Sequence, residues 1–357
     1  MSRPAWARWV TRISLVIALV ALAITIRNTG VATIVRYFRR IGWWWFAVVA
    51  LEITITSLDA VAIRAFCSPE HALVRLRSAL LSQLAGRSVN AVTPSGNLGE
   101  AVKISVLTEH VTQSRAVATI LLYNVVSFCV ELGMVAVAAP LVALLVPMPS
   151  PWRALMFIAG GVCFVLTIGL YLLVRYGVLS SIARLLRGMH LLSEKRFAKW
   201  HDALGAVDDK MRLSTGARSR DRWLGITAIM LSRGTSMTLS LLILHAVGEP
   251  ITVGFVAAYT VGGFIIYMLS TLVPMGLGIS EGGNYELFRA LGENPARGVT
   301  LVVARRVTLV VYAAIGLVLV AASETVQRAR AHRPMPVQAA AVTTVALPTA
   351  RVLDVSE

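Results

Sequence analysis

The sequence has 357 residues, 57% hydrophobic and 15% charged, with a mean hydropathy of +0.73. A soluble domain carries about 25% charged residues, so a soluble globular protein is excluded and an all-α, polytopic integral membrane protein is expected. The formal net charge of +16 does not point to nucleic acid. Eleven Lys/Arg fall in the single polar loop 175–222 and others cluster at the ends of apolar runs, the pattern of basic segments held beside anionic lipid headgroups.

The first apolar run, 8–26, follows a basic start. Ala21-Leu22-Ala23 has the form of a cleavage site, but the run continues to Ile26, so an uncleaved first helix is predicted. Segment 27–40 mixes four arginines with apolar residues and reads as an amphipathic helix lying in the interface. A second spanning helix is expected at 41–63, with Glu52 and Asp59 seven residues apart on nearly one face. Segment 78–93 is apolar but short and carries Arg87. Further spans are expected at 116–146, with Glu131, and 153–174. The basic loop 175–222 follows, then spans at 223–247, with Arg233, and 299–322, with Arg305 and Arg306. Between those two, 251–273 lies in a stretch without charge from Pro250 to Ser280. The tail, 329–357, lacks helical periodicity and is expected to be disordered. The organisation is therefore a membrane half (1–174), a cytoplasmic loop (175–222), a second membrane half (223–328) and a tail (329–357).

The basic loop belongs inside, and the arginines near both termini put those termini inside as well. "VPMPSPW" (146–152) and "GEP" (248–250) contain no Lys or Arg and belong outside, as expected of a multi-pass cell-membrane protein. If 78–93 and 251–273 both crossed fully, "EAVKISVLTEH" and "EGGNYELFRALGENPARG" would have to cross too, and both are poor lipid-facing helices. Making the two segments re-entrant resolves the parity: six full spans plus two re-entrant segments. Irregular backbone at that depth survives only when buried in protein or lining a wet cavity.

The two segments are linked by an internal repeat. Pro94-Ser-Gly96-Asn-Leu-Gly99-Glu100 matches Pro274-Met-Gly276-Leu-Gly278-Ile-Ser-Glu281, 180 residues later, and the same shift superposes 41–63 on 223–247. Each block leads on to an arginine, Arg115 or Arg297. By the topology above the halves are inverted, and paired Gly/Pro-interrupted segments in corresponding halves point to a transporter's central site. Proline ends the descending half-helix and glycine allows the turn. The next half-helix then aims its N-terminal N–H groups and positive dipole end at the midplane, which suits an anion such as a phosphate. Glu100 and Glu281 either cap those N-termini or bind a coupling proton.

Ionisable groups at such depths are costly and face the bundle interior. Glu52, Asp59 and Arg233 either pair to fix helix packing or serve transport. Arg87, Lys103 and Arg305 lie beside the turns and are assigned to an anionic ligand, while Arg306 points elsewhere on its helix. Cys67, Cys129 and Cys163 are far apart and the six histidines are scattered, so neither a disulfide framework nor a metal site is expected. No catalytic grouping, cofactor motif or Walker motif is present in the sequence.

At these residues the chain resembles the flippase-like membrane proteins related to the transmembrane region of lysylphosphatidylglycerol synthases, over roughly residues 10–325. The resemblance rests on "RSVNAVTPSGNLGEAVKISVL", "PMGLGISEGG" and "ARGVTLVVARRVTLVVYAAIGLVL". In the first half, Asn90, Pro94, Gly99, Glu100 and Lys103 meet the family pattern; in the second, Pro274, Gly276, Gly278, Glu281 and Arg305 do. One departure is Tyr123-Asn124, where the family often has a charged pair. The resemblance implies translocation of a lipid, an aminoacylated phosphatidylglycerol or a polyprenyl-phosphate-linked sugar, with membrane lipids as the partners; some relatives are associated with hopanoid synthesis. It does not imply lysyl transfer. That activity belongs to a large soluble domain, and the longest polar segment here is the loop 175–222, so a separate lipid-modifying enzyme is the expected source of any aminoacylated cargo. The other functional classes to be weighed are an integral membrane enzyme and a non-transporting partner in a lipid- or hopanoid-synthesis complex.

Overall fold

The computed structural model describes residues 42–68, 73–92, 98–147, 150–176, 219–247, 251–270 and 278–331. The expected helices at 8–26 and 27–40, most of the basic loop, nearly all of the tail, and Pro94, Gly96, Pro274 and Gly276 lie outside the described residues. The chain divides into two units, Met1–Val320 and Ala321–Glu357. The site lies within the first; the described part of the second, 321–331, is helical.

All regular structure among the described residues is helical. In chain order the helices are α1 (Trp44–Phe66), α2 (Leu76–Val92), α3 (Leu98–Leu107), α4 (Gln113–Leu145), α5 (Ser150–Tyr176), α6 (Ser219–Val247), α7 (Val253–Ser270), α8 (Ile279–Ala290) and α9 (Pro295–Ala331). Among the described residues six segments are long and apolar enough to cross a bilayer: Trp44–Phe66, Gln113–Leu145, Ser150–Leu172, Arg220–Ala246, Val253–Ser270 and Pro295–Val318. The chain is a multi-pass membrane protein. The fifth of these lies in 251–273, the segment expected to be re-entrant; its length and composition would allow a full crossing. As an unbroken 18-residue helix it rises about 27 Å, close to the hydrocarbon thickness. Leu76–Val92, with 17 residues and Arg77 and Arg87 within it, is not among the six.

The order of helix lengths recurs. Helices of 23, 17, 10 and 33 residues (α1–α4) are followed, after α5, by helices of 29, 18, 12 and 37 residues (α6–α9). In both sets a short helix begins just after the Pro-Gly block.

Helices α1 and α6 pack antiparallel along their lengths. The Trp44 ring stands edge-on to His245 at 5.7 Å. The Phe66 ring fills the space beside Gly225, where a Cβ would meet its Cζ at 2.8 Å. Beyond the helix end, Ser68 donates to Asp221 at 2.9 Å. Two buried clusters extend this seam. One joins Ile63, Phe66, Ile120, Leu122 and Ile229; the other joins Val48, Ile55, Ile243, Phe288 and Leu301. Two smaller clusters pack crosswise: α2 and α3 meet α9 through Ala85, Val89, Val102, Val310 and Ala313, and α4 meets α7 through Val135, Ala139, Ala257 and Val261. Among the described residues helix α5 packs chiefly on α4 and is largely exposed elsewhere, including Phe157, Ile158, Phe164 and Val165, as suits a helix solvated by lipid rather than water. Trp43, Trp44 and Phe46 are exposed at the start of α1, where amphipathic rings anchor a span at the interface.

Candidate functional site

The face of α1 that turns inward is polar at its middle. Glu52, Thr56 and Asp59 are all buried, and their four- and three-residue spacing puts them on one side of the helix. Arg87, from α2, donates to Glu52 Oε2 at 2.9 Å and to Thr56 Oγ1 at 3.0 Å. Its guanidinium also lies over the Tyr312 ring of α9, 4.9 Å from the centroid. The Tyr312 hydroxyl closes the group with a 2.8 Å hydrogen bond to Thr56. A charged guanidinium at this depth is thus matched by a carboxylate, a hydroxyl and an aromatic face.

One turn further along α1, Asp59 is only 2% exposed. Its oxygens accept from Ser232 of α6 at 2.7 Å and from Gln83 of α2 at 2.8 Å. Gln83 reaches the Tyr123 hydroxyl of α4 at 3.3 Å with the same amide nitrogen.

Beside this lies the α2–α3 crossing. Gly86 and Gly99 let the two backbones touch: a Cβ at Gly86 would sit 2.8 Å from the Gly99 carbonyl, and a Cβ at Gly99 would run into the Gly86 carbonyl and the Asn90 side chain. The contact brings Asn90 Oδ1 onto the Gly99 N–H at 2.6 Å, so part of the α3 N-terminus is already satisfied by protein. Glu100 accepts from Asn90 at 3.1 Å, Lys103 at 2.9 Å and Asn124 at 2.9 Å. Lys103 is buried, and its ammonium lies 5.2 Å from the Tyr123 ring centroid.

The second short helix begins at Gly278, whose φ of 81° is open to glycine and strained for other residues. Glu281 folds back to accept from the Gly278 N–H at 2.9 Å, the reciprocal half of a capping box. Its other oxygen forms an ion pair with Arg306. Arg233 of α6 faces Glu131 of α4 at 3.4 Å, a contact in which its Nε makes no hydrogen bond.

The predicted residues therefore come together differently from expectation. Neither Glu52 nor Asp59 pairs with Arg233; they take Arg87 and a pair of neutral donors, and Arg233 takes Glu131. Arg87 and Lys103, assigned to a ligand, are matched by carboxylates of the protein itself. Arg306, set aside because it points elsewhere on its helix, is the residue that meets Glu281. Arg305 is half-buried, and among the described residues it has no hydrogen-bond or ion-pair partner. Thr56, Gln83, Tyr123, Asn124, Ser232 and Tyr312 were missed. Thr56 and Gln83 each lie one turn from an intramembrane charge, Glu52 and Arg87, which is a usable signal. Tyr123 and Asn124 stood out only as a departure from the family's charged pair, and here they supply the ring under Lys103 and an amide to Glu100. Among the described residues no grouping of His, Cys, Asp and Glu suits a metal ion.

The family described as "Lysylphosphatidylglycerol synthase TM region" matches residues 11–316. No curated protein and no solved structure matches the chain.

Proposed function

The chain belongs to the family of the lysylphosphatidylglycerol synthase transmembrane region, and from that premise we propose that it moves an anionic or polyprenyl-phosphate-linked lipid between the leaflets of the cell membrane, without catalysing a covalent step. The observation that carries the reading is the matched start of the two short helices. In each, a glutamate occupies the third position (Glu100 in α3, Glu281 in α8), sits at the N-terminus, and is neutralised by a cation, Lys103 or Arg306. Two capped helix starts at corresponding places in two recurring sets are what a site between inverted halves requires. The antiparallel packing of α1 on α6 supports opposite orientations for those sets.

In this reading the re-entrant path runs down α2 or α7, turns at Pro94-Gly96 or Pro274-Gly276, and returns through the short helix. A lipid phosphate enters between the halves while its hydrocarbon stays in the bilayer. Arg305, with no partner among the described residues, is the cation left for that phosphate. Both termini and the basic loop lie on the cytoplasmic side. Any aminoacylated cargo comes from a separate lipid-modifying enzyme.

The test is a dithionite-quenching assay in proteoliposomes holding tail-labelled phosphatidylglycerol, its aminoacylated form, or a labelled polyprenyl phosphate. Faster loss of inner-leaflet signal with the wild-type protein, and slower loss with Arg305→Ala, supports the reading. Formation of a new lipid product, rather than a change of sidedness, would move the assignment to a membrane enzyme. No flipping of any of the three, with co-purification of a lipid-synthesis enzyme that survives substitution of both Pro-Gly turns, would make it a non-transporting partner.

A further inference from the structure

Two of the ion-paired arginines, Arg87 and Arg233, belong to groups of the same composition: one acid, one arginine, one tyrosine. The first is Glu52 (α1), Arg87 (α2) and Tyr312 (α9). The second pairs Arg233 (α6) with Glu131 (α4), and Tyr267 (α7) stands in the 180-residue register where Arg87 stands in the first. In the 180-residue register the places correspond, to within a residue. Glu52 falls on Arg233, Arg87 on Tyr267, and Tyr312 on Glu131. Each trio thus draws on the first and second helices of one set and the fourth helix of the other, with the three residue types permuted around the same three places.

The trios also lie close to the same level. The contacts Trp44–His245 and Phe66–Gly225 place the midpoint of the α1–α6 seam at Ile55 and Thr235, which are themselves 180 residues apart. Glu52 and Arg233 are each within one helical turn of that midpoint.

What differs is how tightly they are made. Arg87 has two hydrogen bonds of 2.9 and 3.0 Å and a ring beneath it. Arg233 stands 3.4 Å from Glu131 with Nε unbonded, and Tyr267 is 56% exposed. Near the first trio Ser88 is fully buried against Gly316 of α9; its counterpart in the register, Met268, is only half-buried.

We propose that the two trios are paired gates of this protein, the Glu52–Arg87–Tyr312 trio closed and the Arg233–Glu131–Tyr267 trio open, and that the working cycle exchanges which of them is closed. The inference rests on the inverted halves of the proposed function: equivalent contacts made unequally define two end states, and exchanging the inequality turns one into the other. A crossing between halves is the place for such a gate, since the partners from α9 and α4 belong to the opposite set. The permutation has a consequence. Loosening the first trio favours the state with the second closed, so the two clefts respond in opposite senses.

The experiment reads protein accessibility rather than lipid movement. In full-length protein with Cys67, Cys129 and Cys163 replaced by alanine, Ser88→Cys and Met268→Cys report on the two clefts by their rate of maleimide labelling in proteoliposomes. With both trios intact, position 268 labels and position 88 is protected. Adding Glu52→Gln is expected to raise labelling at 88 by about fivefold or more, the range of ordinary coupling energies, and to lower it at 268. Tyr312→Phe, which keeps the ring and loses the bond to Thr56, shifts both rates in the same directions by less, and covers the case in which Glu52→Gln does not fold. Rates that stay unchanged, or that rise together at both positions, overturn the proposal. The outcome is separable from that of the transport reading: reciprocal labelling in a protein that flips no lipid sustains the gates and removes the cargo, whereas flipping without reciprocal labelling does the reverse.

Discussion

Arg87 shows how a charge is kept at a depth where it is expensive: its guanidinium is answered by a carboxylate, a hydroxyl and a ring. Removing one member of such a group leaves the other uncompensated, which costs more than the pair contributes. Glu52→Gln is therefore expected to lower stability by about 3 kcal/mol, read as a fall in the thermal unfolding midpoint in detergent. Glu52→Gln with Arg87→Gln is expected to recover much of that loss, because two amides can satisfy each other. If the double variant is no more stable than the single, the pair is not the unit that matters. Arg305 gives the opposite case. With no partner among the described residues to strand, Arg305→Ala is expected to move stability by no more than about 0.5 kcal/mol, while slowing lipid flipping. At this scale positions were legible in the sequence but partners were not. Hydropathy found Glu52, Asp59, Arg87, Glu131 and Arg233 because charge in an apolar run is conspicuous. It could not say that Arg233 meets Glu131 rather than Glu52, since that choice is made by how α4 and α6 are rotated against each other. Tyr312 carries no such mark and was invisible.

At the scale of elements, backbone contact depends on glycines whose spacing the chain displays but whose facing surface it does not. The pair Gly86 and Gly99 holds α2 against α3, and through Asn90 it positions the start of α3. Gly99→Ala is expected to destabilise by about 1–3 kcal/mol, the usual cost of overpacking, and to detach Glu100 from Asn90. Gly161, in the same class by sequence, has nothing within 4 Å. Gly161→Ala on the exposed face of α5 is expected to be neutral or stabilising by up to about 1 kcal/mol. Paired unfolding curves for the two variants check both statements, and equal effects would deny the crossing its role. The Pro-Gly interruptions announced the short helices α3 and α8 correctly, because a break followed by a glutamate at the third position is a local signal. The re-entrant expectation for 251–273 comes from counting crossings, and α7 itself is unbroken over 18 residues.

For the whole molecule, the contacts of α1 with α6 constrain the topology independently of charge counting. Trp44 meets His245, so the start of α1 and the end of α6 share one side of the membrane, and Ser68 with Asp221 fixes the opposite ends together. Loop composition says which side is which. The positive-inside pattern predicts the uncharged connection before α5 outside and the basic segment between α5 and α6 inside. Single cysteines at Gly42, Ser150 and Ile251, in a background without the native three, are therefore expected to react with a membrane-impermeant maleimide in intact cells. A cysteine at Ser180 is expected to react only after permeabilisation. The two arguments fail separately. If Gly42→Cys and Ile251→Cys label from opposite sides, the antiparallel seam is wrong and with it the inverted halves. If they agree with each other but label only after permeabilisation, the seam stands and the positive-inside assignment is reversed, which would place the basic loop, and any lipid it gathers, at the outer leaflet.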